Sequence, residues 1–236
     1  MSRRRWIADE VSGNRAALTG EHAEHLSRVL RARVGQQFEI ATGENVRRGH
    51  VTRIDHGRVE FELGDEIIAT ATPNVTLALS IFKFDRMEWA IEKCTELGAT
   101  RIVPVIASRT ETHLAAAAPK RVERWQRIAL QASEQSRHNS PPQIDQPLKL
   151  TAAVALPGTL RIALAESEQQ TMLREVLHTD SARDIVLAFG PEGGWTESEL
   201  ELFGDAGWIS ASLGNTILRV ETAAIAALAV TLSELA

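Results

Sequence analysis

The sequence predicts an α/β protein: an open sheet with helices between its strands, preceded by a small β-rich unit. Three observations carry that prediction. Residues 184–219 read strand, glycine turn, helix, strand, glycine turn, helix. There the apolar run Ile185 to Phe189 breaks at Gly190-Pro191-Glu192-Gly193-Gly194, and the run Trp208 to Leu213 ends at Gly214-Asn215. Residues 75–81 are continuously apolar, as in a strand buried on both faces, and helix and strand patterns follow. Residues 1–70 instead hold short strand-like segments between turns, the spacing of a small barrel.

Within the first unit, His25, Leu26, Val29 and Leu30 give residues 21–32 helical spacing. Strands are expected at 38–41, 46–54 and 58–63, separated by turns at 42–45 and 55–57. Residues 69–74 (ATATPN) read as a linker, which sets domains at 1–70 and 73–236. A helix over 85–97 carries the stripe Met87, Ala90, Ile91, Cys94 and Leu97, and stops at Gly98. Residues 101–106 form the next strand, although Pro104 is anomalous in a central position. A second helix over 119–136 presents Val122, Trp125, Ile128, Ala129 and Ala132, with Pro119 in its first turn. Strands at 160–165, 185–189 and 208–213 bring the sheet to about five. Thr196 and Glu199 have capping-box spacing, and the last helical pattern begins at Ile217.

A single cysteine, Cys94, excludes an internal disulfide framework and suits a reducing compartment; on an apolar helix face it reads as a buried structural thiol. No apolar run approaches the ~20 residues of a membrane span, and Arg3, Arg4 and Arg5 precede no apolar signal region. A soluble, cytoplasmic protein with no membrane partner is the expectation. The net charge of −5 is unevenly spread: +4 over residues 1–58, +3 over 73–150 and −8 over 151–236. Arg28, Arg31, Arg33, Arg47, Arg48 and Arg53 give the first unit a basic surface, suited to phosphate contacts or to plain solvation.

The common site chemistries fail on sequence. No G-x-G-x-x-G, no G-x-x-x-x-G-K-[ST] and no G-x-S-x-G occurs. His22 and His25 stand three apart without an associated cysteine or acidic cluster, so no metal is expected. The two glycine turns remain, either as plain turns or as a ligand site at strand ends. Glu192 would repel an anion; it suits a cationic or neutral ligand such as a sulfonium, or caps neighbouring amides.

GPEGGWTESE followed by SLGNTILRVETAAIAAL resembles the RsmE family, the 16S rRNA (uracil-N3)-methyltransferases. KFDRMEWAIEKCTELGATRIVPV, ERWQRIALQASEQS and HLSRVLRARVGQQFEI are similar to other segments of that family, so the resemblance covers nearly the whole chain. It implies a PUA-like RNA-binding barrel followed by a SPOUT-type methyltransferase domain with a C-terminal trefoil knot, working as a homodimer on 16S rRNA of the small ribosomal subunit. It also implies S-adenosyl-L-methionine as cofactor, lying against Gly190, Pro191, Glu192, Gly193 and Gly194, against Leu213, Gly214, Asn215, Ile217 and Leu218, and near Glu166. RNA contacts would come from Arg28, Arg31, Arg47 and Arg48, extended by Arg124 and Arg127, which otherwise read as a solvated helix face. The family's Gly-Arg after E-Q is replaced by Ser136-Arg137-His138, so either Arg137 or His138 stands in the arginine's place.

Methylating N3 of uridine requires that its proton leave, by a base or with a cation that stabilises the anion. Arg219, directly after the second glycine turn, is the candidate cation; its other reading is a salt bridge to Glu221. Glu192 and His138 are weaker candidates for a base. Two rivals stay open: a related enzyme methylating a ribose 2′-hydroxyl, and a non-catalytic ribosome-assembly factor.

Overall fold

The computed structural model describes residues 5–43, 45–67, 73–136, 138–179 and 184–235. The chain divides into two compact units, Met1–Ala71 with Leu130–Pro141, and Thr72–Ala129 with Pro142–Ala236.

The first unit contains β1 (Arg5–Ile7), β2 (Glu10–Ser12), β3 (Arg15–Thr19), α1 (Gly20–Glu24), β4 (Gln37–Ala41), β5 (Val46–Asp55) and β6 (Arg58–Ile67). Its strands form one sheet in the order β1-β4-β5-β6-β3-β2, antiparallel except for β1 with β4. The two edge strands are consecutive in sequence. Between them, Ala8 N–H donates to Ala41 (2.9 Å) and Asp9 N–H to Ala17 (3.0 Å), near opposite ends of the sheet. The sheet therefore curls back on itself. Trp6, Leu18, Leu26, Ile40, Val51, Val59, Phe61 and Leu63 fill the interior.

The helix expected over 21–32 is divided. After α1 comes one π turn, His25–Val29, closed by Leu30 N–H on His25 C=O at 3.0 Å, and Arg31 then takes φ 52. The third strand runs past its expected end at residue 63 because Arg47 pairs with Glu66 and Val46 with Ile67, so the ladder carries the polar tail. Residues 68–72 of the expected linker lie outside the described residues, and Asn74 already belongs to the next strand.

The second unit opens with β7 (Asn74–Ser80), α2 (Phe84–Leu97) and β8 (Arg101–Ile106). α3 (Thr112–Ala117), a 3-10 turn (Ala118–Arg121) and α4 (Val122–Ser136) follow, α4 ending in the first unit. Then come β9 (Gln143–Ile144), β10 (Leu148–Lys149), α5 (Leu150–Ala153), β11 (Leu160–Leu164), α6 (Leu173–Thr179), β12 (Asp184–Phe189), α7 (Glu197–Asp205), β13 (Ile209–Ala211) and α8 (Val220–Glu234). All strand pairs are parallel, in the order β10-β8-β7-β12-β11-β13 with β9 also on β8.

The sheet thus has seven strands among the described residues rather than about five; β9 and β10, two residues each, are too short to show a pattern. The expected helix start at Pro119 falls in the 3-10 turn, and the alanine run hid α3, which buries only Leu114. Pro104 is accommodated because β9 pairs with Arg101 and Ile102 while β10 pairs with Val105 and Ile106. Its missing N–H falls in the gap between them.

Both faces of this sheet are covered, which explains the continuous apolar strands. Leu77, Leu79, Ile162, Ile185 and Leu187 face a core completed by Met87, Ile91, Cys94, Trp125, Ala224 and Leu228. Ala78, Val103, Ala163, Val186 and Ala188 face Val154, Trp195, Phe203 and Trp208. Cys94 is fully buried, and that burial pushes its thiol up to about 12. No helix among the described residues is long and apolar enough to cross a membrane.

Candidate functional site

The register aligns three strand ends. Leu164 pairs with both Phe189 and Ala211, so the turns after β11, β12 and β13 open on one edge of the sheet. The two glycine turns follow strands that are not neighbours. β11 lies between them, because β12 pairs with β7 on its other side. The turn after β11 is consequently the middle of the site.

A cavity of about 390 Å³ occupies this edge, within the range of small-molecule sites. Gly190, Pro191, Glu192, Gly194, Glu166, Leu213, Gly214, Ile217, Leu218 and Arg219 all line it. Gly193 and Asn215 are not among its walls: Gly193 turns toward Arg109, whose Cδ a Cβ there would meet at 3.1 Å, and Asn215 is exposed. Glycine is required at three wall positions, among them Gly214 with φ 125. A Cβ on Gly190 would stand 3.2 Å from backbone atoms of Gly194 and Trp195; Gly194 has φ 69 and would crowd the Glu166 carboxylate at 3.0 Å.

The first glycine loop is held from three sides. Arg109, in the turn after β8, donates from Nη1 to the Gly193 carbonyl and, at 3.3 Å, to that of Trp195. The Trp195 indole N–H donates to the Leu164 carbonyl at 3.0 Å. Thr196 and Glu199 form the expected capping box on α7. The buried Glu199 carboxylate also accepts from Ser108 N–H at 2.7 Å, tying α7 to the turn after β8. In the turn after β11, Glu168 accepts from the backbone N–H groups of Gln170 and Thr171, which hold its carboxyl below the usual range. The second glycine turn is closed by Ser212, whose Oγ receives Gly214 N–H at 3.2 Å.

Among the described residues, four charged side chains line the cavity: Glu166, Glu192, Arg86 and Arg219. Arg219 is the N-cap of α8, whose first residue is Val220 rather than the expected Ile217. It is exposed and makes no salt bridge to Glu221; Glu221 instead faces Arg86.

The model of the RNA methyltransferase domain family matches residues 70–232. Ribosomal RNA small subunit methyltransferase E of Synechocystis is 37% identical over 90% of this chain and 71% of its own length. The chain belongs to this family. Two solved structures extend the likeness to the fold. The ribosomal RNA small subunit methyltransferase E of Neisseria gonorrhoeae, bound to S-adenosyl methionine, has a TM-score of 0.83 at 31% identity, covering 96% of this chain and 95% of that one. A methyltransferase of Legionella pneumophila, in complex with the same cofactor, has a TM-score of 0.82 at 29% identity, covering 97% and 96%.

The cavity also has wall residues that the sequence did not single out: Arg86, Ser167, Trp195 and Thr216. Arg86 lies inside the family-like KFDRMEW segment, but nothing in the spacing ties it to the glycine turns. Arg109, the clamp, was findable as the cation of the turn after β8, at the same strand ends as the glycine turns.

The arginines expected to meet RNA differ in their engagements. Arg47 donates to the Gly64 and Leu63 carbonyls and to Asn14, all within the curled sheet. Arg124 is bidentate to Glu88 at 2.6 and 2.8 Å, and Arg28 faces Glu24 at 3.8 Å. Arg31, Arg48 and Arg127 are exposed and carry no ion pair among the described residues. Arg137 lies outside the described residues, and His138 belongs to the first unit.

Proposed function

We propose that this protein is an S-adenosylmethionine-dependent methyltransferase that modifies N3 of a uridine in 16S rRNA of the small ribosomal subunit. The single observation that carries the reading is the cavity at three aligned strand ends, walled by two glycine turns, in a chain of the methyltransferase E family. The residues fit the cofactor. Its glycines leave backbone amides accessible, its apolar wall of Leu213, Ile217 and Leu218 suits a flat adenine, and Glu166 and Glu192 suit a cation. When bound, the cofactor supplies an electrophilic methyl carbon, which N3 takes as the C–S bond breaks with its electron pair left on sulfur.

The chain's own work is positioning and charge. The loop clamped by Arg109, Trp195 and Glu199 is pre-formed, so little is lost in ordering it on binding. Arg219, exposed on the cavity rim, stabilises the negative charge of the deprotonated base. Arg28, Arg31, Arg47 and Arg48 on a PUA-like barrel, with Arg124, Arg127 and Arg137, contact rRNA phosphates. The free charges of Arg31, Arg48 and Arg127 make them the stronger contributors.

The second unit is a SPOUT-type domain with a C-terminal trefoil knot, and the protein is a homodimer. Support for the dimer comes from α8, where Ile225, Val230 and Leu232 pack against the core yet stay only half buried.

Methyl transfer from labelled S-adenosylmethionine to small subunits that lack the modification tests the reading, with the product nucleoside identified by mass spectrometry. 3-Methyluridine is the expected product. A ribose-methylated nucleoside would replace the target atom, and binding of subunits without transfer would return the assembly-factor reading.

A further inference from the structure

The cavity's charges are divided by origin. Glu166 and Glu192 stand on turns that follow strands, whereas Arg86 and Arg219 stand at the starts of α2 and α8. The two guanidiniums are not equivalent. Arg219 is exposed and unpaired among the described residues. Arg86 is 34% exposed, and its Nε lies 3.8 Å from Oε1 of Glu221, a carboxylate only 8% exposed in the first turn of α8.

That contact is an ion pair beyond hydrogen-bond reach. Arg86 donates no side-chain hydrogen bond among the described residues, so its donors are held in place but not consumed. The pair is not needed to join the helices. Met87, Ala90, Ile91 and Cys94 already share one core with Ala224, Ala227 and Leu228. A nearly buried carboxylate is costly beside such packing, which points to a role in aiming its partner.

We propose that Arg86 is a second catalytic cation, aimed into the cavity by Glu221, and that it bears the charge of the uracil ring during transfer. The inference rests on the base-methylation reading above. N3 releases its proton to water. The electron pair left behind spreads over N3 and the two flanking carbonyl oxygens, then closes the new C–N bond as the C–S pair returns to sulfur. The resulting anion is flat with acceptors in one plane, and a guanidinium presents a planar fork of donors that matches it. The first turn of α2 adds the positive end of its dipole. Glu221 is a positioning residue: it fixes the fork without meeting the substrate.

The test uses the full chain, purified small subunits and labelled cofactor, with R86A, R86K and E221Q. R86A is expected to lower kcat by about 10²-fold, the usual loss for one such donor, while calorimetry shows unchanged S-adenosylmethionine affinity. A cation beside N3 favours its deprotonated form, so its loss moves the rising limb of the pH–rate profile to higher pH. Added guanidinium restores part of the R86A rate. R86K keeps the charge, loses the fork and remains slow. E221Q shows a smaller kcat loss with the same pH displacement. A matching fall in cofactor affinity in R86A would reassign Arg86 to the cofactor carboxylate. Loss of melting temperature with an unmoved pH profile would make the pair a structural tether, and R86K with E221Q decides this even where R86A fails to fold. Absence of 3-methyluridine with the wild-type protein would instead overturn the reading beneath, whatever the variants do.

Discussion

Gly190 and Gly204 are chemically the same residue in opposite circumstances. A methyl group on Gly190 would press on the backbone of Gly194 and Trp195 at 3.2 Å, whereas one on Gly204 meets nothing within 4 Å. G190A is therefore expected to raise the cofactor dissociation constant at least about tenfold, or ~1.4 kcal/mol, by isothermal calorimetry. G204A, inside α7, is expected to stabilise by ~0.5–1 kcal/mol in urea titration. The sequence could mark both as glycines but could not tell them apart, because the difference lies in what approaches from other elements.

Cys94 makes a pH prediction of stated sign. Burial raises its folded value from 9.0 to about 12. The stability this group contributes is whole below 9.0 and is lost as pH rises from there toward about 12. Thermal melts of wild type and C94A across that window should converge as pH rises. A thiol reagent at pH 8 should label Cys94 only at the rate of unfolding.

At the scale of elements, α7 is the hinge pin of the first glycine loop. T196A removes one side of the capping box and should cost ~1 kcal/mol. E199A should cost more, because it also strands the Ser108 N–H and frees the turn after β8. Denaturant titration ranks the two, and only E199A is expected to weaken cofactor binding appreciably. The capping box was legible, since its partners are three residues apart. The bond from Ser108 to Glu199 was not, because it exists only once β8 and β12 are in one sheet. The same holds for β11: each strand end was visible in the sequence, but not which strand stood between the other two.

For the whole molecule, cofactor binding is linked to the stability of the second unit, which holds the entire cavity. Cofactor at about 100 times its dissociation constant adds ~2.7 kcal/mol. Scanning calorimetry should show the second unit's transition rising by several degrees, with R109A showing a smaller rise because its loop is no longer clamped. The architecture of this unit was readable because burial on both faces writes continuous apolar runs into its strands. The first unit was less so: its π turn and the polar end of β6 follow from hydrogen bonding that no hydropathy pattern records.

β7, the first strand of the second unit, is flanked by β12, more than a hundred residues later, and the core between them is finished by α8. The cavity wall at Ile217 to Arg219 and the helix behind it are made long after β7, so this strand must wait for its partners during synthesis. Until they are made, β7 lacks the strand and helix that cover it and the site has no second wall.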